Sequence, residues 1–195
     1  MFKILNGKEP KGAWVDSSPK IELRPQLTKY LPDEKYLANL RVREPIFKYI
    51  IQNFKFNPLM FLDAIKYPVL LLGYYSTPLA IELSQWNYPV TLIVKTAEEI
   101  GRVKANMERH AGIMRELFYY NYYSGVPASK IIVWVDDDFS IPEERKSEWI
   151  KYLKTRCQFL ILGLKESPDI ENIIEGIKGV AVRRKYGDYY FVVTY

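Results

Sequence analysis

Cysteine and histidine are almost missing from this 195-residue chain, which has Cys157 and His110 and no others. One of each removes disulfide frameworks, Cys/His zinc sites and Ser-His or Cys-His nucleophile systems, all of which need further partners. Any metal would have to be held by oxygen ligands, and His110 is expected to be structural. Long apolar runs are missing too. No stretch approaches the ~20 residues of a membrane span, and Met1-Phe2-Lys3-Ile4-Leu5 is too short and too soon polar for a secretion signal. The expected protein is therefore soluble and cytoplasmic. What is present is apolar material, 48% of the residues, under a net charge of +5. That is enough for one sizeable core, so one domain with an N-terminal extension is expected. The charge suits an anionic ligand and ordinary solubility equally. Abundant Ile, Tyr, Lys and Glu with little Gln fit a thermophilic source.

Residues 1 to 43 carry Gly7, Pro10, Gly12, Pro19, Pro25 and Pro32 among scattered charges. This punctuation predicts an irregular arm laid over a core built later. From Glu44 the spacing of Ile46, Tyr49, Ile50, Asn53 and Phe54 predicts a helix with Pro45 in its first turn. A second short helix, with Leu59, Phe61, Leu62 and Ile65, is expected after Pro58. Pro68 to Leu72 is a continuous apolar run closed by Gly73, as in a strand covered on both faces. Thr77 as N-cap with Pro78 then opens a helix. Pro89 to Val94 is the next strand, and Thr96-Ala97-Glu98-Glu99 is a capping box. It opens a long helix with Ile100, Val103, Met107, Met114, Leu117 and Phe118 at helical period. Ile131 to Val135 predicts a buried strand, Pro142 to Arg156 a helix, and Phe159 to Leu162 another strand. Ser167-Pro168 starts a further helix. Val180 to Lys185 and Tyr189 to Tyr195 alternate around Gly187-Asp188 and predict a hairpin. Strand and helix alternate from 68 to 178. The expected fold is α/β, a single Rossmann-like domain over residues 44–195 with a mostly parallel sheet, helices on both faces and a C-terminal hairpin.

Ligands of such sheets sit outside the carboxyl ends of the strands. Three strand ends therefore matter: Gly73-Tyr74-Tyr75-Ser76-Thr77, Lys95-Thr96 and Asp136-Asp137-Asp138. Three packed carboxylates repel one another, so a cation, a helix N-terminus or water should face them. With Cys/His chemistry excluded, these carboxylates are candidate hard-oxygen ligands for a divalent cation.

Gly73-Tyr74-Tyr75-Ser76-Thr77-Pro78 followed by a helix resembles the opening loop of GT-A fold nucleotide-sugar glycosyltransferases. Arg109 to Asn121, with Arg115 inside it, resembles the helix before that family's metal motif. Val133 to Phe139 resembles the strand bearing its D-x-D. The likeness spans about residues 67 to 178, and proteins this compact with that fold occur among viruses of hot-spring archaea. The resemblance implies a hexosyltransferase-like enzyme moving a sugar from a nucleoside diphosphate sugar to an acceptor such as a protein glycan, lipid or nucleic acid. Mn2+ or Mg2+ would sit on Asp138 and Asp136, stabilising the leaving diphosphate. Gly73, Tyr74, Tyr75, Ser76, Lys95, Arg115 and Asp136 would hold the nucleotide sugar. Asp169, with Glu166 and Glu171 as alternatives, would be the base for an acceptor hydroxyl. The same acids at a helix start are also favoured by the macrodipole alone. The N-terminal arm or a partner subunit, as in a homodimer, would complete the acceptor side, and a viral source would place the protein in the host cytoplasm.

Lys95 departs from that pattern, which expects an acid there. The nearest enzymatic rival is a methyltransferase-like Rossmann protein, in which strand, turn, helix and a later acidic strand end follow in similar order. Against it stand the missing glycines of Gly73 to Thr77 and, again, Lys95 where an acid would engage a ribose. A third, non-enzymatic alternative is nucleic-acid binding through Phe118 to Tyr123 and Arg183-Arg184-Lys185-Tyr186.

Overall fold

The computed structural model describes residues 34–56, 65–110, 117–121, 125–136 and 141–195. Helix α1 (Glu34–Asn53) comes first, then the two-residue strands β1 (Lys55–Phe56) and β2 (Ile65–Lys66), paired antiparallel. The remaining strands are β3 (Val69–Leu72), β4 (Val90–Val94), β5 (Leu117–Asn121), β6 (Ser129–Val135), β7 (Cys157–Lys165), β8 (Val180–Tyr186) and β9 (Tyr189–Thr194). Between them lie α2 (Thr77–Gln85), α3 (Ala97–His110), α4 (Glu143–Lys154) and α5 (Ile170–Glu175). One seven-stranded sheet has the order β5-β4-β3-β6-β7-β9-β8. The pairs from β5 through β7 are parallel, whereas β9 runs antiparallel to both β7 and β8. The fold is thus α/β and Rossmann-like, with the C-terminal hairpin expected from the alternating sequence. The hairpin turns at Gly187, whose φ of 60° suits a residue without Cβ.

Strand pleating divides the core in two. Leu71, Leu92, Val133, Ile161 and Phe191 face one side, where Val42, Ile46, Phe47 and Ile50 of α1 and Leu79 and Leu83 of α2 cover them. Leu72, Ile93, Trp134, Leu162 and Val192 face the other, under Ile150 and Leu153 of α4 and Ile173 and Ile174 of α5. Gly163 lets α1 come close. A Cβ there would lie 3.1 Å from Val42 and 3.2 Å from Val135.

Three local expectations change. Helix α1 is described from Glu34 and continues through Pro45, so residues 34–43 are helical rather than part of an irregular arm. Helix α3 ends at His110, and Leu117 to Asn121, expected at its far end, form the edge strand β5 beside β4. The consecutive aromatics Phe118, Tyr119 and Tyr120 have high strand preference, and pairing with β4 prevails over the apparent helical period. Ser76 rather than Thr77 is the N-cap of α2, with the Thr77 hydroxyl donating to the Tyr74 carbonyl at 2.5 Å. The helix expected after Pro58 lies outside the described residues.

Candidate functional site at the carboxyl edge of the sheet

Chain direction reverses across β3. Its connection leads outward to β4 and β5, and the chain then returns to β6 on the other side. Such a switch point opens a crevice at the carboxyl ends of the strands. Here the crevice is bounded by the turn after β3, the end of β4 and the end of β6.

The turn after β3 is built by Gly73. Its φ of 99° with ψ of 150° is a conformation open essentially to glycine alone, and its N–H closes on the Ile93 carbonyl at 2.7 Å. Tyr74 to Ser76 then make one 3-10 turn. Ser76 is fully buried, and its hydroxyl accepts from Arg43 Nη1 at 3.1 Å while donating to the Leu72 carbonyl at 3.3 Å. Arg43 reaches this spot from α1, so a guanidinium backs the turn. At the end of β4 the capping box forms as expected. Glu99 N–H donates to the Thr96 hydroxyl at 3.1 Å, while Glu99 Oε2 accepts from the N–H of Lys95 at 2.7 Å and of Thr96 at 3.3 Å. Lys95 itself is half-buried at the rim.

The other side of the crevice is closed by charge. Asp136 follows β6, is 6% exposed, and accepts a 2.6 Å hydrogen bond from Lys146, which is equally buried. Lys146 also donates to Glu143 at 2.7 Å, and Glu143 accepts from the Ser167 hydroxyl beyond β7. Asp136, Lys146, Glu143 and Ser167 thus tie the end of β6 to α4 and to the loop after β7. Burial pushes Lys146 down, but its hydrogen bonds to Asp136 and Glu143 and their charges outweigh it and hold the ammonium above its ordinary 10.5. Burial likewise pushes Glu143 up, and the bonds from Lys146 and Ser167 overcome this, leaving it below its ordinary 4.5.

Lys146, Glu143 and Arg43 were not read from the sequence as site residues, and Ser167 was read only as a helix start. A signal for Lys146 existed, since it shares the inward stripe of α4 with Ile150 and Leu153. A lone cation in an apolar stripe implies a buried partner.

Of the expected site residues, Gly73, Tyr74, Tyr75 and Ser76 lie in the turn after β3, Lys95 follows β4 and Asp136 follows β6. Arg115 and Asp138 lie outside the described residues. Asp169 is the exposed N-cap of α5 and makes no side-chain cap bond. Glu166 pairs with Lys185, and Glu171 pairs with Arg183 and accepts from the Tyr190 hydroxyl at 2.6 Å. Those two carboxylates clamp the loop and helix after β7 onto the hairpin. Cys157 is no reactive thiol, because burial pushes it up to about 11.

No family model and no curated protein sequence matches the chain. Solved structures do. Magnesium protoporphyrin IX methyltransferase from Synechocystis PCC 6803, determined with bound S-adenosylmethionine (SAM), matches at 14% identity and a TM-score of 0.61, over 88% of this chain and 88% of that one. The 16S rRNA methylase ArmA matches at 12% identity and 0.60, over 89% and 90%. Precorrin-6y C5,15-methyltransferase from Geobacter metallireducens GS-15 matches at 12% and 0.56, over 84% and 91%. At such identities the likeness establishes the fold, which is that of these methyltransferases.

The GT-A resemblance is corrected accordingly, and with it the glycosyltransferase function, the nucleoside diphosphate sugar and the Mn2+ or Mg2+ cofactor. The stretch matched to the helix before a D-x-D motif contains strand β5. Asp136 spends its charge on an ammonium, and the described residues contain no cluster of three or more metal-ligating side chains. The Synechocystis structures carry SAM in one case and S-adenosylhomocysteine (SAH) in the other. The present residues fit such a ligand only in part. Gly73 supplies the tight turn, whereas Tyr75 occupies the part of the loop where a second glycine would let backbone approach, and Lys95 replaces a ribose-binding acid.

Proposed function

We infer that this chain is a methyltransferase-like Rossmann enzyme that seats an adenosyl ligand over the Gly73 turn and transfers a methyl group to an acceptor. The observation that carries this is the likeness to methyltransferase structures over nearly nine-tenths of both chains in the first two matches. When bound, SAM supplies a methyl group on a positively charged sulfur. This chain's own residues would hold the ligand mainly by backbone at the turn, stiffened by the bond between Arg43 and Ser76. Lys95 gives the rim a positive charge where ribose hydroxyls ordinarily meet a carboxylate, so affinity for the adenosyl group is low. Asp136 acts by position, fixing the far wall through Lys146.

Lys95 favours one second reading, a nucleoside carrying phosphate in the same crevice. Calorimetry with SAH and with adenosine triphosphate (ATP), on wild type, Gly73→Val and Lys95→Asp, separates the two. Methyl-transfer chemistry predicts saturable SAH binding that Lys95→Asp tightens and Gly73→Val weakens. The second reading predicts ATP binding that Lys95→Asp abolishes. Wild-type protein that binds neither compound sinks both.

A further inference from the structure

A separate groove of about 450 Å3 lies between α1 and the β8–β9 hairpin, lined in part by Glu44, Lys48, Tyr49, Arg184, Tyr186 and Phe191. Its aromatic side is a row of three rings. Tyr49 meets Phe191 edge to face at 5.5 Å, and Phe191 meets Tyr186 at 6.3 Å. Lys48 on α1 and Arg184 on β8 are both exposed, and among the described residues neither has an ion-pair partner. Strand alternation separates Arg184 from its neighbours. Arg183 and Lys185 point to the opposite side of β8 and pair with Glu171 and Glu166. The basic run Arg183-Arg184-Lys185 is therefore one available cation and two engaged ones.

We propose that this groove binds single-stranded nucleic acid, with a base against the half-exposed rings of Tyr49 and Tyr186, which flank the buried Phe191, and phosphates on Lys48 and Arg184. Ring faces reward an unpaired base, since each base has a face to stack, whereas a duplex hides those faces within its own stack. Two cations against the single carboxylate of Glu44 leave the groove positive, as a phosphate backbone requires. The proposal goes beyond methyl transfer and uses other residues, so it stands or falls separately.

The test is fluorescence anisotropy of a labelled oligouridylate across a salt series, using the full chain. Wild type is expected to bind with a salt-dependent affinity. Lys48→Gln with Arg184→Gln should weaken binding at least about tenfold and flatten the salt slope by about 1.4. Tyr186→Ala should weaken it at least about fivefold. Arg183→Gln with Lys185→Gln should stay within about twofold on a tenfold scale of effect, because those cations are engaged by carboxylates. Lys48→Arg with Arg184→Lys keeps both charges and should restore binding, which separates charge loss from misfolding. Absence of binding by wild type at low salt overturns the proposal. So does equal loss in the two double-glutamine variants, or tighter binding of a duplex of the same length. SAH calorimetry on the groove variants should be unchanged, so a failed adenosyl site and a failed groove give different results.

Discussion

The two halves of the carboxyl edge handle charge in opposite ways. Around the ends of β3 and β4 the wall is made of backbone geometry, the Gly73 turn and the Thr96–Glu99 capping box, with Lys95 at the rim. Around β6 and β7 it is made of a buried ion pair, Asp136 on Lys146, with the half-exposed Glu143 beside it. Both halves end parallel strands of one sheet, so topology alone does not decide which becomes ligand-facing. Burial decides it. A carboxylate sunk beside an ammonium is committed to that partner, whereas Lys95 at the rim is only half-buried.

The largest effect should come from breaking the buried half. Asp136→Ala leaves Lys146 charged and buried with Glu143 alone, and unfolding by urea should show a loss of about 3 kcal/mol. A loss below about 1 kcal/mol would mean that water reaches the pair and that the two halves do not differ. Gly73→Val imposes a side chain on a backbone with φ of 99° and should cost about 1–3 kcal/mol by the same measurement. Thr96→Ala removes one arm of the capping box and should cost about 1 kcal/mol, read as a lower thermal midpoint.

The smallest effect is a pH signature confined to the buried half. Glu143 lies below its ordinary 4.5 when folded, so its stabilisation is complete above that value and is lost as pH falls through the depressed one. Lys146 lies above its ordinary 10.5, so its contribution is complete below that value and disappears as pH rises through the elevated one. Thermal melts of Glu143→Gln should therefore match wild type in acid and fall below it near neutrality. Melts that differ by the same amount at every pH would remove the charge from the explanation.

Most of the sheet was legible because its strands are short apolar runs between turn residues. Val69 to Leu72, Val90 to Val94 and the 131–135 run fall where the sequence pattern puts them. The capping box was legible because all its partners lie within five residues. Strand β5 was not, since Met114, Leu117 and Phe118 continue the spacing of α3 and only pairing with β4 makes the aromatic run a strand. The insertion of β9 between β7 and β8 was not legible either. A hairpin pattern specifies its own register but not which edge it joins. At the site, Gly73 and Lys95 could be read directly. Asp136 was misleading: three consecutive carboxylates advertise a cation, and the cation that arrives is Lys146, ten positions later on the next helix.

The reversed last strand also sets the order of assembly. Among the described residues, strand β8 has no hydrogen-bonded neighbour except β9, so within them it joins the sheet only through the residues that follow it. The hairpin must close first, or dock with β9 leading, and the seam between Leu160–Lys165 and Tyr189–Thr194 is where the sheet is completed. Severing the chain at Gly187 would cost the sheet two strands, and would release the β8 wall of the groove that carries Arg184 and Tyr186.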